Sequence, residues 1–144
     1  MAIWVKMAES SLSPVLVSWF AAREWRLRRH QAGMLDAARD RRNAMLVAPT
    51  GAGKTLAGFL PSLVDLIERP GFDGLHTLYV SPLKALAVDV QRNLLDPITE
   101  MGLDIRVETR TGDTPSARKA RHRARPPQML LTTQESLRLV TTHP

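Results

Sequence analysis

Cysteine is absent from this 144-residue sequence, and so are long hydrophobic runs. Without cysteine the chain forms no disulfide bond and no thiolate metal site. No apolar stretch approaches the ~18 residues that a membrane-spanning helix requires. The N-terminal residues also lack the charged start and long apolar stretch of a signal peptide. We therefore expect a protein that has no membrane partner and acts in the cytoplasm.

Acidic residues are outnumbered in the sequence. The 14 Asp and Glu residues stand against 20 Lys and Arg, which gives a formal net charge of +6 and a pI of about 10.7. Such an excess attracts polyanions, of which nucleic acid is the commonest. Much of this positive charge lies in two arginine-rich segments, 23–29 and 118–125. Each segment is compatible with nucleic-acid contact and equally with the solvated face of a helix.

Helical and strand-like patterns alternate along the chain. Apolar positions at helical spacing predict helices, and short apolar or alternating runs predict strands. The first two predicted helices cover 14–25 and 28–39, a third begins at Lys54, and a fourth covers 83–94. A fifth helix follows a cap at Asp113 or Thr114, and a sixth follows a capping box formed by Thr132 and Glu135. The predicted strands are 43–48 and 75–80, which we expect to be buried, and 105–109 and 128–131. This alternation implies an α/β fold whose parallel sheet has helices on both faces. Pro61 should kink the helix that begins at Lys54 or disturb its early turns.

A glycine-rich loop with the sequence APTGAGKT lies between the first predicted strand and the next helix. Phosphate binding needs several backbone N–H groups that converge on one anion, and glycine permits the required dihedrals. Lys54 would reach the β- and γ-phosphates of ATP, and the Thr55 hydroxyl would bind Mg²⁺. Both are our candidates for catalysis. The full set of predicted phosphate and metal contacts is Thr50, Gly51, Ala52, Gly53, Lys54 and Thr55. The alternative is a glycine-rich turn with a surface lysine, and Ala48 holds a place where the general pattern has glycine.

With this loop, the sequence resembles the superfamily 2 helicases, specifically the DEXH-box group of large helicase-related proteins. Within that group it is most similar to the DNA-ligase-associated DEXH-box helicases. The resemblance implies an incomplete RecA-like P-loop lobe: 1–24 would be an N-terminal extension with a leading helix, and 25–144 the first part of the ATP-binding domain. The segment Trp25–Gln31, WRLRRHQ, resembles the adenine-reading motif, which implies that Gln31 binds the base of ATP.

Three further segments resemble helicase motifs that contact the backbone of a single strand. They are SPLKALAVD at 81–89, RTGDT at 110–114 and TTQES at 132–136, where Gln134 replaces a common proline. The resemblance implies a nucleic-acid partner, single-stranded or partly duplex DNA, held by Pro82, Leu83, Lys84, Thr111, Gly112, Thr132 and Thr133. From the residues alone, a plain strand–helix junction with a solvated lysine is the preferred interpretation of Lys84.

The sequence contains no Asp-Glu-x-His motif, which in this family helps to hold Mg²⁺ and to activate the attacking water. We therefore expect the chain to be a fragment of an ATP-dependent DNA helicase, with an open sheet edge prone to association and no turnover by itself. A DNA-repair setting and repair partners are implied only by the resemblance. Two alternatives stay open: another P-loop enzyme, such as a nucleotide kinase or transport ATPase, and a binding module that lacks chemistry.

Overall fold

The computed structural model describes residues 12–49 and 51–141. The chain forms two compact units, Met1–Pro70 and Gly71–Pro144. This division does not test the predicted boundary between residues 24 and 25. Among the described helices, none combines the length and apolar character needed to cross a membrane.

The described part of the first unit contains three helices, α1 (Pro14–Ala22), α2 (Arg29–Arg39) and α3 (Lys54–Glu68). Helix α1 ends three residues before the predicted end. Glu24 adopts a positive φ of 55°, and the N–H of Trp25 reaches back to the carbonyl of Phe20 at 2.9 Å. A left-handed residue with a backward hydrogen bond is a common way to terminate a helix. Helix α2 begins one residue later than predicted and ends as predicted.

Helix α3 carries the apolar stripe that its sequence predicts. Its fully covered positions include Leu60 and Leu63, at 0% exposure, and the helix packs against α2. Pro61 lies inside α3, but the helix continues through it to Glu68. The expected disturbance by proline therefore does not interrupt the helix.

The prediction of a buried strand before the glycine-rich loop is wrong. Residues 42–49 form neither helix nor strand, and the side chains of Met45 and Val47 are 89% and 80% exposed. A strand is stabilised by hydrogen bonds to a neighbouring strand and by burial of its side chains, so propensity alone does not create one. In the described part of the chain, sheet pairing joins three other segments and does not include this one.

The described part of the second unit, residues 71–141, contains a parallel sheet with three helices. Its elements are β1 (Thr77–Ser81), α4 (Lys84–Glu100), β2 (Val107–Arg110), α5 (Ser116–Ala124), β3 (Met129–Thr133) and α6 (Gln134–Thr141). The strand order is β1-β3-β2, so the last strand in sequence is central. Helix α4 packs against all three strands, and α6 packs against β1 and β3. The predicted α/β class and parallel sheet are confirmed.

The three strands begin one or two residues later than predicted. Gln128 explains the late start of β3, because its side chain joins two loops before the strand begins. Its Oε1 accepts from the N–H of Arg106 at 3.0 Å, and its Nε2 donates to the carbonyl of Phe72 at 3.0 Å. Strand β1, predicted to be buried, is covered only in part, since Leu78 and Val80 are 44% and 37% exposed.

The predicted caps of α5 and α6 are each displaced. Pro115 is the N-cap of α5, and Thr114 instead accepts the N–H of Thr111 through its hydroxyl at 2.9 Å. At α6, the hydroxyl that accepts a backbone N–H belongs to Thr133, with Ser136 as donor at 3.4 Å. Thr132 does not cap the helix, because its hydroxyl donates to the carbonyl of Arg110 in the neighbouring strand.

Candidate nucleotide site and nucleic-acid interface

The glycine-rich loop has the backbone conformation that its glycines permit. Gly51 and Gly53 adopt φ values of +79° and +75°, in the left-handed region that side chains disfavour. The N–H of Ala52 donates to the carbonyl of Pro49 at 3.2 Å and closes a turn. Gly53 is the N-cap of α3, so the loop leads directly into the N-terminus of a 15-residue helix. Such a terminus offers unsatisfied N–H donors and the positive end of the helix dipole to an anion.

Lys54 is held against the loop that precedes it. Its Nζ donates to the carbonyls of Ala48 and Pro49, each at 2.7 Å. An ammonium group has three donors and needs no acidic partner to be held in this way. Thr55 is the next residue of α3 and is partly exposed. Thr50 lies outside the described residues.

Gln31 lies in the same unit and close to the loop. Its side chain is buried, at 3% exposure, and its Oε1 accepts the N–H of Arg28 at 2.9 Å. A Cβ atom added at Gly53 would lie 3.3 Å from the Nε2 of Gln31. Gln31 is therefore not a solvated helix residue, and its amide is oriented beside the N-terminus of α3. An amide oxygen accepts two hydrogen bonds, so one acceptor direction remains after the bond from Arg28.

The three segments predicted to contact nucleic acid meet at one edge of the sheet. The strands are parallel, so their carboxyl ends lie together. Ser81 at the end of β1 is the partner of Thr133 at the end of β3, and Arg110 at the end of β2 is the partner of Thr132. We call this the carboxyl edge, made of 81–84, 110–113 and 132–133. Ligands of open parallel sheets bind preferentially at such an edge.

An ion pair joins two of these segments. The Nζ of Lys84, at the first residue of α4, contacts the carboxylate of Asp113. The hydrogen bond and positive charge of Lys84 hold the pKa of Asp113 below its usual value, and Lys119 adds a smaller effect. Lys119 also donates to the carbonyl of Gly112 at 2.9 Å. Asp113 is a candidate helix cap in the sequence, and no local pattern indicates its contact with Lys84.

The three threonines at the carboxyl edge are buried, unlike the other predicted contact residues. Thr111, Thr132 and Thr133 are 7%, 2% and 7% exposed. The hydroxyl of Thr132 donates to the carbonyl of Arg110 at 2.7 Å, and that of Thr133 contacts Ser136. These hydroxyls shape the edge from inside. The exposed members are Pro82, Leu83, Lys84 and Gly112.

A buried histidine anchors α5 to the sheet, which the sequence pattern did not reveal. The side chain of His122 is 2% exposed, and its Nε2 lies 2.7 Å from Oε2 of Glu108 in β2. Arg121 contacts the same oxygen at 2.8 Å. Burial raises the pKa of Glu108, but hydrogen bonds and positive charge from His122 and Arg121 outweigh it and lower the pKa. In the sequence, the one feature that points to this contact is an acidic residue in β2, Glu108, followed by the basic helix α5.

No cluster of three or more potential metal-binding side chains exists within residues 12–49 and 51–141. Thr55 is the one metal ligand that the sequence predicts. Mg²⁺ usually binds through one or two protein groups together with phosphate oxygens and water. The hydroxyl of Thr55 would supply one of these protein groups beside the triphosphate. An acidic partner would have to come from outside the nominated residues.

Comparison with known proteins agrees with this geometry. The sequence matches the family described as DEAD/DEAH box helicase over residues 28–143. It is 45% identical over 124 residues to the Lhr helicase/probable uracil glycosylase of Mycolicibacterium smegmatis, covering 78% of this chain and 8% of that protein. It is 39% identical over 157 residues to the Lhr helicase/uracil glycosylase of Escherichia coli, covering 92% of this chain and 10% of that protein.

A solved structure shows the same likeness. The structure of Mycobacterium smegmatis helicase Lhr bound to ssDNA and AMP-PNP matches with a TM-score of 0.84 and 40% identity, covering 94% of this chain and 18% of that one. The chain thus spans less than a fifth of each of these relatives. The narrower likeness to DNA-ligase-associated helicases stays a prediction. The chain belongs to the DEAD/DEAH box helicase family, a family of ATP-dependent enzymes, and Lhr helicases are among its homologues.

Proposed function

We propose that this chain supplies the ATP-binding loop and part of the nucleic-acid surface of an ATP-dependent DNA helicase. Residues 25–144 would form the first part of a RecA-like lobe, and 1–24 an extension before it. The observation that carries the proposal is the left-handed Gly51–Gly53 turn, which delivers Lys54 to the N-terminus of α3. Family membership favours this reading over a nucleotide kinase or a transport ATPase.

In this proposal the loop binds the triphosphate of ATP. Backbone N–H groups around Gly51 and Gly53 donate to phosphate oxygens, and the ammonium of Lys54 neutralises the β- and γ-phosphates. Thr50 and Ala52 complete the loop, and Thr55 offers its hydroxyl to Mg²⁺. The bound ATP and Mg²⁺ supply the phosphoryl chemistry, and the residues of this chain bind and orient them. Since the sequence has no Asp-Glu-x-His motif, we propose that the chain by itself binds nucleotide without rapid turnover.

Gln31 would read the adenine base. Its burial beside Gly53 fixes the amide plane, and a fixed amide pairs one donor and one acceptor with a base edge at little entropic cost. The bond from Arg28 keeps the amide in one orientation.

The exposed part of the carboxyl edge would bind the backbone of a single strand. Pro82, Leu83, Lys84 and the N–H of Gly112 would face the strand, while Thr111, Thr132 and Thr133 would hold these groups in place. The homologue solved with ssDNA and AMP-PNP supports single-stranded DNA as the ligand. Two relatives are named as both helicases and uracil glycosylases, which supports a setting in DNA repair. In the bacteria from which the Lhr relatives come, DNA and ATP are both found in the cytoplasm, and we propose a cytoplasmic location for this protein.

Equilibrium binding with two labelled ligands tests this proposal. We expect Lys54→Ala to weaken binding of a fluorescent ATP analogue at least tenfold and to leave binding of a fluorescein-labelled single strand unchanged. Lys84→Ala is the matched control, since it removes another exposed lysine: it should weaken DNA binding and spare the nucleotide. If wild type and Lys54→Ala bound the ATP analogue with equal affinity, Lys54 would not contact the nucleotide, and the proposed ATP-binding role of the loop would be refuted.

A further inference from the structure

Helix α5 exposes arginine side chains on the surface of the second unit. Arg118 and Arg123 in α5 and Arg125, the C-cap of that helix, are exposed, and we call them together the α5 arginine surface. From Arg118 to Arg125 the chain advances seven residues, which corresponds to about 10 Å at the rise of an α-helix. From the sequence, this segment is compatible with nucleic-acid contact and with an ordinary solvated helix face. The charges and contacts around the three arginines distinguish these two interpretations.

Acidic residues are lacking in the sequence around these three arginines. The sequence contains no Asp or Glu from 114 to 134. Arg121 is paired with Glu108, and Arg106 with Asp73. In contrast, the side chains of the α5 arginine surface form no ion pair or hydrogen bond with any described residue. A solvated helix face usually mixes both signs of charge, so an uncompensated cluster of three arginines is better suited to an external anion.

The helix that carries this surface is held firmly to the rest of the unit. His122 is buried and contacts Glu108, while Arg121 binds the same carboxylate. At the other end of α5, Lys119 donates to the carbonyl of Gly112, which belongs to the carboxyl edge. The α5 arginine surface therefore adjoins the proposed strand-binding edge within one rigid unit. Ordering the helix costs little further entropy when a ligand binds.

We propose that the α5 arginine surface binds nucleic-acid phosphates, as a second contact beside the carboxyl edge. The inference rests on the proposed function, because it takes the carboxyl edge as the first contact. Guanidinium groups match phosphate oxygens through paired hydrogen bonds, and they carry no preference for base sequence. Duplex DNA carries one charge per ~1.7 Å of axis, so a surface about 10 Å long faces roughly six charges. Three unpaired arginines fit such a ligand.

The test is a salt series of DNA binding. The variant Arg118→Gln/Arg123→Gln/Arg125→Gln is compared with the wild-type chain, with a labelled single strand and with the same strand in a partly duplex form. If all three arginines engage phosphates, the slope of log K against log salt should fall in magnitude by about 2 on the single strand and nearer 3 on the duplex. Near 0.1 M salt the affinity should fall about a hundredfold. A loss of slope on only one of the two forms identifies that form as the one that contacts α5.

The control variant removes the same amount of charge elsewhere. Arg39→Gln/Arg42→Gln/Arg92→Gln replaces three exposed arginines, of which Arg39 and Arg42 lie beside Asp36 and Asp40. We expect this control to change the salt slope by less than 1. Equal slopes for the α5 variant and this control would overturn the α5 proposal and leave the proposed function intact. Failure of the wild-type chain to bind DNA would instead count against the proposed function. Far-UV circular dichroism confirms that each variant is folded.

Discussion

The backbone of the glycine-rich loop predicts that alanine will change the stability of the chain differently at three glycines of the first unit. Gly51 and Gly53 both have positive φ, but their surroundings differ. A Cβ added at Gly51 would have no heavy atom within 4 Å, whereas one at Gly53 would lie 3.3 Å from the side chain of Gln31. Gly58, an exposed residue inside α3, has neither a positive φ nor a close neighbour. Alanine at each position therefore isolates a different contribution to the free energy of unfolding.

The expected magnitudes follow from these differences. Gly58→Ala should stabilise the chain by about 0.5–1 kcal/mol, because glycine is a poor helix former. Gly51→Ala should destabilise it by about 1–2 kcal/mol, the cost of a left-handed conformation for a residue with a Cβ. Gly53→Ala should destabilise it by the same amount and further, because the added methyl group also displaces the buried amide of Gln31.

Urea denaturation, followed by circular dichroism, measures the three changes. At constant m-value, the midpoint should rise for Gly58→Ala and fall for the two loop variants, most for Gly53→Ala. Binding of the ATP analogue reports separately on the loop, and Gly58→Ala should leave it unchanged. If both loop variants were as stable as Gly58→Ala, the left-handed turn would not exist in solution, and the phosphate-site geometry would be refuted.

Three other substitutions test contacts described above. Because the pKa of Glu108 is lowered in the folded chain, its contribution to stability should be present above its ordinary pKa near 4.5 and be lost as the pH falls through the lower folded value. Urea midpoints of Glu108→Gln and wild type should thus differ at pH 7 and converge in acid, while a constant difference would exclude the ionised contact with His122. Thr133→Ala should cost about 1 kcal/mol through loss of the α6 cap, measured by urea midpoint, and no change would show that the cap contributes nothing. Asp113→Asn should strengthen single-strand binding by freeing Lys84 for phosphate, and a weaker complex in titrations would contradict that competition.

Local signals in the sequence were sufficient for the loop and for most of the fold. The spacing of Gly51, Gly53 and Lys54 specifies a turn and a helix start within eight residues, so the loop and α3 were predictable. The three strands of the second unit were also found, because their apolar runs are bounded by turns. Their starts were misplaced where a side chain such as Gln128 joins distant loops before the strand begins.

Contacts between distant residues explain what the sequence did not reveal. Lys84 and Asp113 are 29 residues apart, and His122 and Glu108 are 14 apart, so no local pattern marks either pair. The failed strand prediction at 43–48 has the same origin. Its apolar composition is that of a strand, but pairing depends on a partner elsewhere in the chain. At 43–48 the local propensity favours a strand, but the segment does not pair with the sheet of the described residues.

The strand order has a consequence for the way the chain folds during synthesis. The central strand β3 is the last to be translated, and its partners Thr77 and Val107 precede Met129 by 52 and 22 residues (129 − 77 and 129 − 107). At a ribosomal rate of about 5–20 residues per second, β1 waits roughly 3–10 s for its neighbour. Until then its backbone is open to chaperones and to other nascent chains. The speed of elongation through 82–129 therefore sets how long this strand is exposed before the sheet closes.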